Sequence, residues 1–110
     1  MKKVKINCDD IKNSETFHSV FQRVFGFPGF YGENMNAWID CMSYLDDPEA
    51  GMSDIHCVKG DFVLLELDNM STFKERCPGL YEDLVECSAF VNYRRVEKRE
   101  HPILMLSFYA

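Results

Sequence analysis

The sequence predicts an α/β domain in which a three-stranded, mainly parallel sheet is packed by about four helices. Two near-continuous apolar runs, FVLLEL and ILMLSF, and an alternating N-terminal segment predict the three strands, and helical periodicity fills the stretches between them. Helices between consecutive strands act as crossover connections, so the strands are expected to be parallel. The length fits a single domain, residues 1–110, because no repeat or linker divides the chain.

The first half of the chain is predicted to contain one strand and two helices. KKVKIN at residues 2–7 alternates lysines with apolar residues, which is typical of a strand with one face in solvent. Asn13 or Ser14 can cap a helix that ends at Gly26. A second helix is predicted from Asn34 to Leu45. Helical spacing gives it an apolar side consisting of Met35, Trp38, Ile39, Met42 and Leu45.

The second half is predicted to contain two strands and two helices. Phe62–Leu67 and Ile103–Phe108 are apolar enough for strands covered on both faces. A short helix, Ser71–Arg76, precedes a longer one. The stretch Tyr93–Glu100 fits either the last turns of that helix or a strand beside the C-terminal one. The inward side of the longer helix is expected to hold Leu80, Leu84, Cys87, Ser88 and Val91.

Acidic residues are concentrated in the middle of the chain. Residues 33–70 contain nine Asp or Glu and one lysine, a net charge of −8, whereas the segments before and after carry +2 and zero. This distribution disfavours direct binding to nucleic acid and favours a basic protein partner. A solvated surface that only aids solubility is the alternative. The acids expected to speed encounter with a basic partner are Asp46, Asp47, Glu49 and Asp54.

Cysteine spacing and the N-terminus exclude several functional classes. The five cysteines form no C-x-x-C pair, which favours reduced, mostly buried thiols over a disulfide framework or a zinc site. No phosphate loop or nucleophile motif is present, so no metal, cofactor or catalytic residue is predicted. The N-terminus MKKVKINCDD lacks the apolar core of a signal peptide, and no apolar run could span a membrane. A cytoplasmic location is therefore expected.

The outward face of the second helix is polar and carries one acid. At 100° per residue, Asn36, Asp40, Ser43 and Tyr44 fall opposite the apolar side, with Ala37 near them. A single aspartate is usually only a solvated charge. An amide and an aromatic ring on the same face, directly after a glycine-containing turn, make this face a candidate partner-binding surface.

Residues 27–42, FPGFYGENMNAWIDCM, resemble the loop and second helix of the barstar family, whose members inhibit extracellular bacterial ribonucleases. The shared pattern is a proline, two aromatics, Gly-Glu-Asn, an apolar residue, an acid or amide, Ala, and then Asp-Cys. The resemblance implies a barstar-like fold, in which a three-stranded parallel sheet is packed by helices. It also implies that the loop and second helix plug a ribonuclease active site, with Asp40 where the enzyme holds a substrate phosphate.

The resemblance assigns partner-facing positions one by one. Carried over by position, they are Phe30, Tyr31, Gly32, Asn34, Met35, Asn36, Ala37, Ile39 and Asp40. Ser43 and Tyr44 extend the same face. Purely structural roles remain alternatives: Met35 would belong to the core, Tyr31 would pack the turn, and Asn34 would only cap the helix.

The chain departs from the barstar pattern in ways that bear on its target. Asn36 and Ile39 stand where barstar has an aspartate and a tryptophan, and the loop 46–61 is longer. Barstar uses glutamates on its last helix. The candidates here, Glu97 and Glu100, are surrounded by basic residues, namely Arg94, Arg95, Lys98 and Arg99. These departures favour a nuclease toxin of different shape, with this chain as its immunity protein.

Three hypotheses remain open for function. The first is an intracellular inhibitor of a ribonuclease or RNase toxin, with no catalysis of its own and monomeric when free. The second is a non-inhibitory binding module for another basic protein. The third, a small enzyme using Asp40 with His18 or His56, or a Cys–His pair, has no supporting motif.

Overall fold

Three strands and four α-helices alternate along the chain in the computed structural model, which describes residues 1–110. The strands are β1 (Lys2–Asn7), β2 (Val63–Asp68) and β3 (Leu104–Ser107). The helices are α1 (Ser14–Phe25), α2 (Met35–Met42), α3 (Met70–Arg76) and α4 (Pro78–Glu97). Single-turn 3-10 helices lie at Cys8–Asp10 and Pro48–Ala50. Each of the first two strands is followed by two helices, which confirms the predicted α/β class.

The sheet is parallel throughout, with strand order β1–β2–β3. One face of the sheet is buried, and its buried members are Val4, Ile6, Val63, Leu65, Leu67 and Leu104. The opposite face is half-buried or exposed, and its members are Lys3, Lys5, Leu64, Glu66, Met105 and Ser107. Met105 is 51% exposed. The expectation that β2 and β3 are covered on both faces is therefore wrong, because the helices cover one face and leave the other to solvent.

Local signals define α1 as the sequence predicted. The Asn13 side chain accepts a hydrogen bond from the Thr16 amide at 2.9 Å, and the Thr16 hydroxyl accepts one from the Asn13 amide at 2.9 Å. At the other end Gly26 adopts a left-handed conformation with φ 68°, and a Cβ there would collide with the Asp54 carboxylate. The buried face of α1 supplies Phe17, Phe21 and Phe25 to the core.

The ambiguous stretch Tyr93–Glu100 is mostly helix. α4 continues to Glu97, and Arg99 adopts φ 61° while the Glu100 amide donates to the Arg95 carbonyl at 2.8 Å. From α4, the Asn92 side chain accepts from the amides of Ile103 and Leu104 and donates to the Leu104 carbonyl at 2.8 Å. The Asn92 side chain thus makes the hydrogen bonds that a neighbouring strand would otherwise make at the start of β3.

The five cysteines are free, and three of them are buried. No three His, Cys, Asp or Glu side chains are placed together to hold a metal ion. None of the helices combines the length and apolar character needed to cross a membrane.

Candidate functional site

Nine of the eleven predicted partner-binding residues lie together on one surface, formed by the loop Phe27–Asn34, by α2 and by the turn after it. We call this the loop–helix surface. Its exposed members are Phe30, Gly32, Asn34, Asn36, Asp40 and Tyr44. Its half-buried members are Met35, Ala37 and Ser43. Tyr31 and Ile39 are each only 7% exposed and lie beneath it.

A tight turn gives the loop its shape. The Tyr31 amide donates to the Pro28 carbonyl at 2.9 Å, and the Gln22 side chain donates to the same carbonyl at 3.2 Å. The Tyr31 ring packs against Phe27 with centroids 4.8 Å apart. The turn places Phe30 outward, 75% exposed. An exposed ring on a fixed turn has the shape and rigidity to make contact with another molecule.

Tyr31 fastens the loop to α1. Its hydroxyl shares a hydrogen bond with His18 Nδ1 at 2.6 Å, and both side chains are buried. Burial lowers the pKa of His18 below its ordinary value of 6.5, although the charge of Glu33 opposes this. Burial also raises the pKa of Tyr31. At neutral pH this contact is therefore a hydrogen bond between two uncharged groups.

Asn34 begins α2. Its side chain accepts from the Ala37 amide at 2.8 Å and donates to the Gly32 carbonyl at 3.2 Å, so one residue closes the turn and caps the helix. Glu33, directly before it, adopts the left-handed conformation with φ 53°. Inward, Trp38 packs on Phe21 with ring centroids 5.6 Å apart. The predicted apolar side of α2 is confirmed, with Met35 its least buried member.

The helix ends three residues earlier than the sequence predicts, at Met42 and not at Leu45. The Ser43 hydroxyl donates to the Ile39 carbonyl at 2.6 Å, and the Tyr44 amide turns back to the Cys41 carbonyl at 3.3 Å. The Ser43 carbonyl accepts from Arg95 Nη1 at 2.8 Å and takes no further part in helical bonding. Tyr44 is left 45% exposed beside Asp40.

Arg95 clamps this end of α2 to α4. Its guanidinium donates to both Asp46 carboxylate oxygens, at 2.7 and 3.3 Å, and its Nε donates to the His101 carbonyl at 2.7 Å. Arg95 is 5% and Asp46 9% exposed. The expectation that Asp46 adds to a solvent-facing acidic field is wrong, because its charge is buried against Arg95.

The long loop after α2 folds back onto the helices. The Asp54 amide donates to the Phe25 carbonyl at 2.8 Å, and the Cys57 amide donates to the Leu45 carbonyl at 3.0 Å. These bonds place Met52 beside the loop–helix surface, where it closes an apolar depression of about 280 Å³ with Asp40 at its rim. Nothing in the spacing of the sequence pointed to Met52, because its place depends on contacts between distant segments.

Asp40 has no hydrogen-bond or ion-pair partner within the chain, although it lies at the centre of this surface. The neighbouring Cys41 thiol points into the core, and burial together with the Asp40 charge raises its pKa to about 11. The thiol therefore stays protonated and unreactive. The carboxylate of Asp40 is left free to accept hydrogen bonds from another molecule.

The family model described as Barstar (barnase inhibitor) matches residues 1–106 of the 110. No curated protein matches the sequence.

Proposed function

The chain belongs to the barstar family, and on that premise we propose that it is a protein inhibitor that blocks a ribonuclease active site with the loop–helix surface. The proposed setting is the cytoplasm of a bacterium, where the chain serves as the immunity protein of a nuclease toxin. In this proposal the chain is a monomer when free and uses no cofactor. It contacts the basic enzyme and not the RNA.

The observation that carries this proposal is the free Asp40 carboxylate on a helix fixed at both ends. A ribonuclease stabilises phosphoryl transfer with basic side chains in a concave site. A carboxylate held outward on a rigid support can accept charge-assisted hydrogen bonds from those side chains. Because Asn34 fixes the start of α2 and Arg95 its end, little conformational entropy is lost when Asp40 binds.

The other members of the surface have two proposed roles. Phe30 and Tyr44 have exposed rings that would take the place of nucleotide bases in the active site of the enzyme. Asn36 and Asn34 provide polar groups at the rim of the loop–helix surface. Tyr31 and Ile39 act from beneath, by holding the loop and helix in shape, because little of either is accessible. Asp47, Glu49 and Asp54 remain to attract a basic enzyme.

A competition assay tests this proposal. The ribonuclease is captured from extracts of the producing cell on immobilised chain, purified, and assayed for RNA cleavage at several RNA concentrations. If the chain covers the active site, inhibition is competitive, and the apparent inhibition constant rises linearly with the RNA concentration from its value in the absence of RNA. Inhibition independent of RNA concentration would contradict an active-site block.

The same assay separates the inhibitor from a non-inhibitory binding module. A module would bind its basic partner at the same surface without any loss of RNA cleavage. The chain would therefore be a binding module and not an inhibitor if the captured protein cleaves no RNA. The same conclusion would follow if the chain leaves the RNA cleavage of that protein unchanged.

A further inference from the structure

A charged groove runs between α2 and α4 on the side of Asp40 away from the apolar depression. Its volume is about 100 Å³, and only one of its ten lining residues is apolar. Acids from α2 and the following turn form one wall, including Asp40 and Asp47. Arg94 from α4 and Lys98, the residue directly after α4, stand on the other wall together with Glu100, and Lys59 comes from the long loop.

Arg94, Lys98 and Lys59 form no direct ion pair within the chain, although the acids Asp40, Asp47 and Glu100 line the same groove. Arg95 and Asp46 pair with one another, but none of the other groove residues forms an ion pair. Arg94 lies over the Phe90 ring, 5.7 Å from its centroid, a contact that leaves its N–H donors free. The surface around Asp40 therefore carries both signs of charge, although the middle of the sequence is strongly acidic.

The position of the two cations is fixed by the residue between them. Arg95 is bonded to the Ser43 carbonyl and to Asp46, so the end of α4 lies directly beside the end of α2. A protein that places a basic group on Asp40 must also bring its neighbouring surface against Arg94 and Lys98. A uniformly basic rim around that group would be repelled there.

We infer that the ribonuclease bound by this chain carries a carboxylate beside the basic group that meets Asp40, and that Arg94 and Lys98 select for it. This inference rests on the proposed function. The two cations accept a rim of mixed charge and reject a wholly basic one, since like charges placed together weaken a complex and opposite charges strengthen it. Asp40 then supplies affinity for the active site, and Arg94 and Lys98 determine which ribonucleases are accepted.

A charge reversal tests the inference with the ribonuclease captured on the immobilised chain. The dissociation constant is measured by calorimetry for the wild type, for Arg94→Glu/Lys98→Glu, and for the control Lys3→Glu/Lys5→Glu. The control makes the same change in net charge on the open face of the sheet, where the Lys5–Asp68 contact of 4.0 Å is exposed. Work at about 0.15 M salt limits long-range effects to about 8 Å.

The Arg94→Glu/Lys98→Glu variant is expected to bind the captured ribonuclease at least tenfold more weakly than the wild type, whereas the control should change the dissociation constant less than threefold. An unchanged or lower dissociation constant in this variant, or an equal loss in both variants, overturns the inference. RNA cleavage is measured in parallel, so that a failure of the inference can be distinguished from a failure of the proposed function. Weaker binding of the variant to a captured protein whose RNA cleavage the chain does not inhibit supports the charge selection and removes the proposed function. Inhibition by the wild type with no loss of binding in the variant does the reverse.

Discussion

The two ends of α2 are held by opposite chemistry. At its start, an uncharged hydrogen bond between Tyr31 and His18 fastens the preceding loop inside an aromatic cluster. At its end, a buried ion pair between Arg95 and Asp46 fastens the following turn to α4. Both supports lie beneath the surface and leave Asp40 without a partner.

The difference matters because the two supports respond to different changes. A neutral pair in a packed aromatic environment loses about one hydrogen bond when one partner is removed. A buried ion pair that loses one partner leaves an uncompensated charge in the interior, which costs several times more. The start of α2 should therefore tolerate substitution but respond to mild acid. The end should not tolerate substitution of one partner.

Arg95→Met should have the largest effect. It leaves Asp46 buried and unpaired and also removes the donor to the Ser43 carbonyl, so we expect the free energy of unfolding to fall by about 3–5 kcal/mol. Urea denaturation followed by circular dichroism measures this. The double variant Arg95→Met/Asp46→Leu should recover most of the loss, because no charge is then left buried. A double variant no more stable than the single one would show that the ion pair is not the source of the effect.

Tyr31→Phe should cost less, about 1–3 kcal/mol, because it removes one hydroxyl and leaves His18 Nδ1 without a partner while the ring still packs on Phe27. The same denaturation experiment applies. Tyr44→Phe is the matched control, because Tyr44 is exposed and should change stability by less than about 0.5 kcal/mol. Equal effects of the two substitutions would mean that the Tyr31–His18 bond does not fasten the loop.

Mild acid should weaken the start of α2 by a smaller amount. Because burial lowers the pKa of His18 in the folded chain, the unfolded chain binds a proton more readily below pH 6.5. The contribution of this histidine to the free energy of unfolding is therefore fully present above pH 6.5. It decreases as the pH falls below that value, by at most about 1.4 kcal/mol per pH unit.

Comparison with His18→Gln isolates this contribution. Denaturation between pH 7.5 and 5 should show a smaller decline for the variant, while His56 and His101 remain in both proteins. Parallel declines would remove His18 as the source of the pH dependence.

The sequence predicted those parts of the molecule that depend on neighbouring residues. α1 follows from an asparagine cap, a repeated apolar spacing and a terminal glycine, which all lie within one segment. The inner side of α2 follows in the same way. Asp40 could be recognised because helical geometry puts it on the outward face.

The remaining features depend on residues far apart in the chain. Asp46 looked like a free acid because its partner, Arg95, lies 49 positions away. The early end of α2 has the same origin, since Arg95 also takes the Ser43 carbonyl. Met105 looked like a covered strand residue because composition does not reveal that the helices leave one face of the sheet open.

The dissociation constant of Asp40→Ala with the captured ribonuclease tests the central claim most directly. Asp10→Ala is the control, an exposed aspartate outside the loop–helix surface. We predict that Asp40→Ala weakens binding by about 2–5 kcal/mol and leaves the free energy of unfolding within about 0.5 kcal/mol of the wild type, while the control changes neither. A variant that binds and inhibits as well as the wild type would contradict the claim that Asp40 occupies the active site.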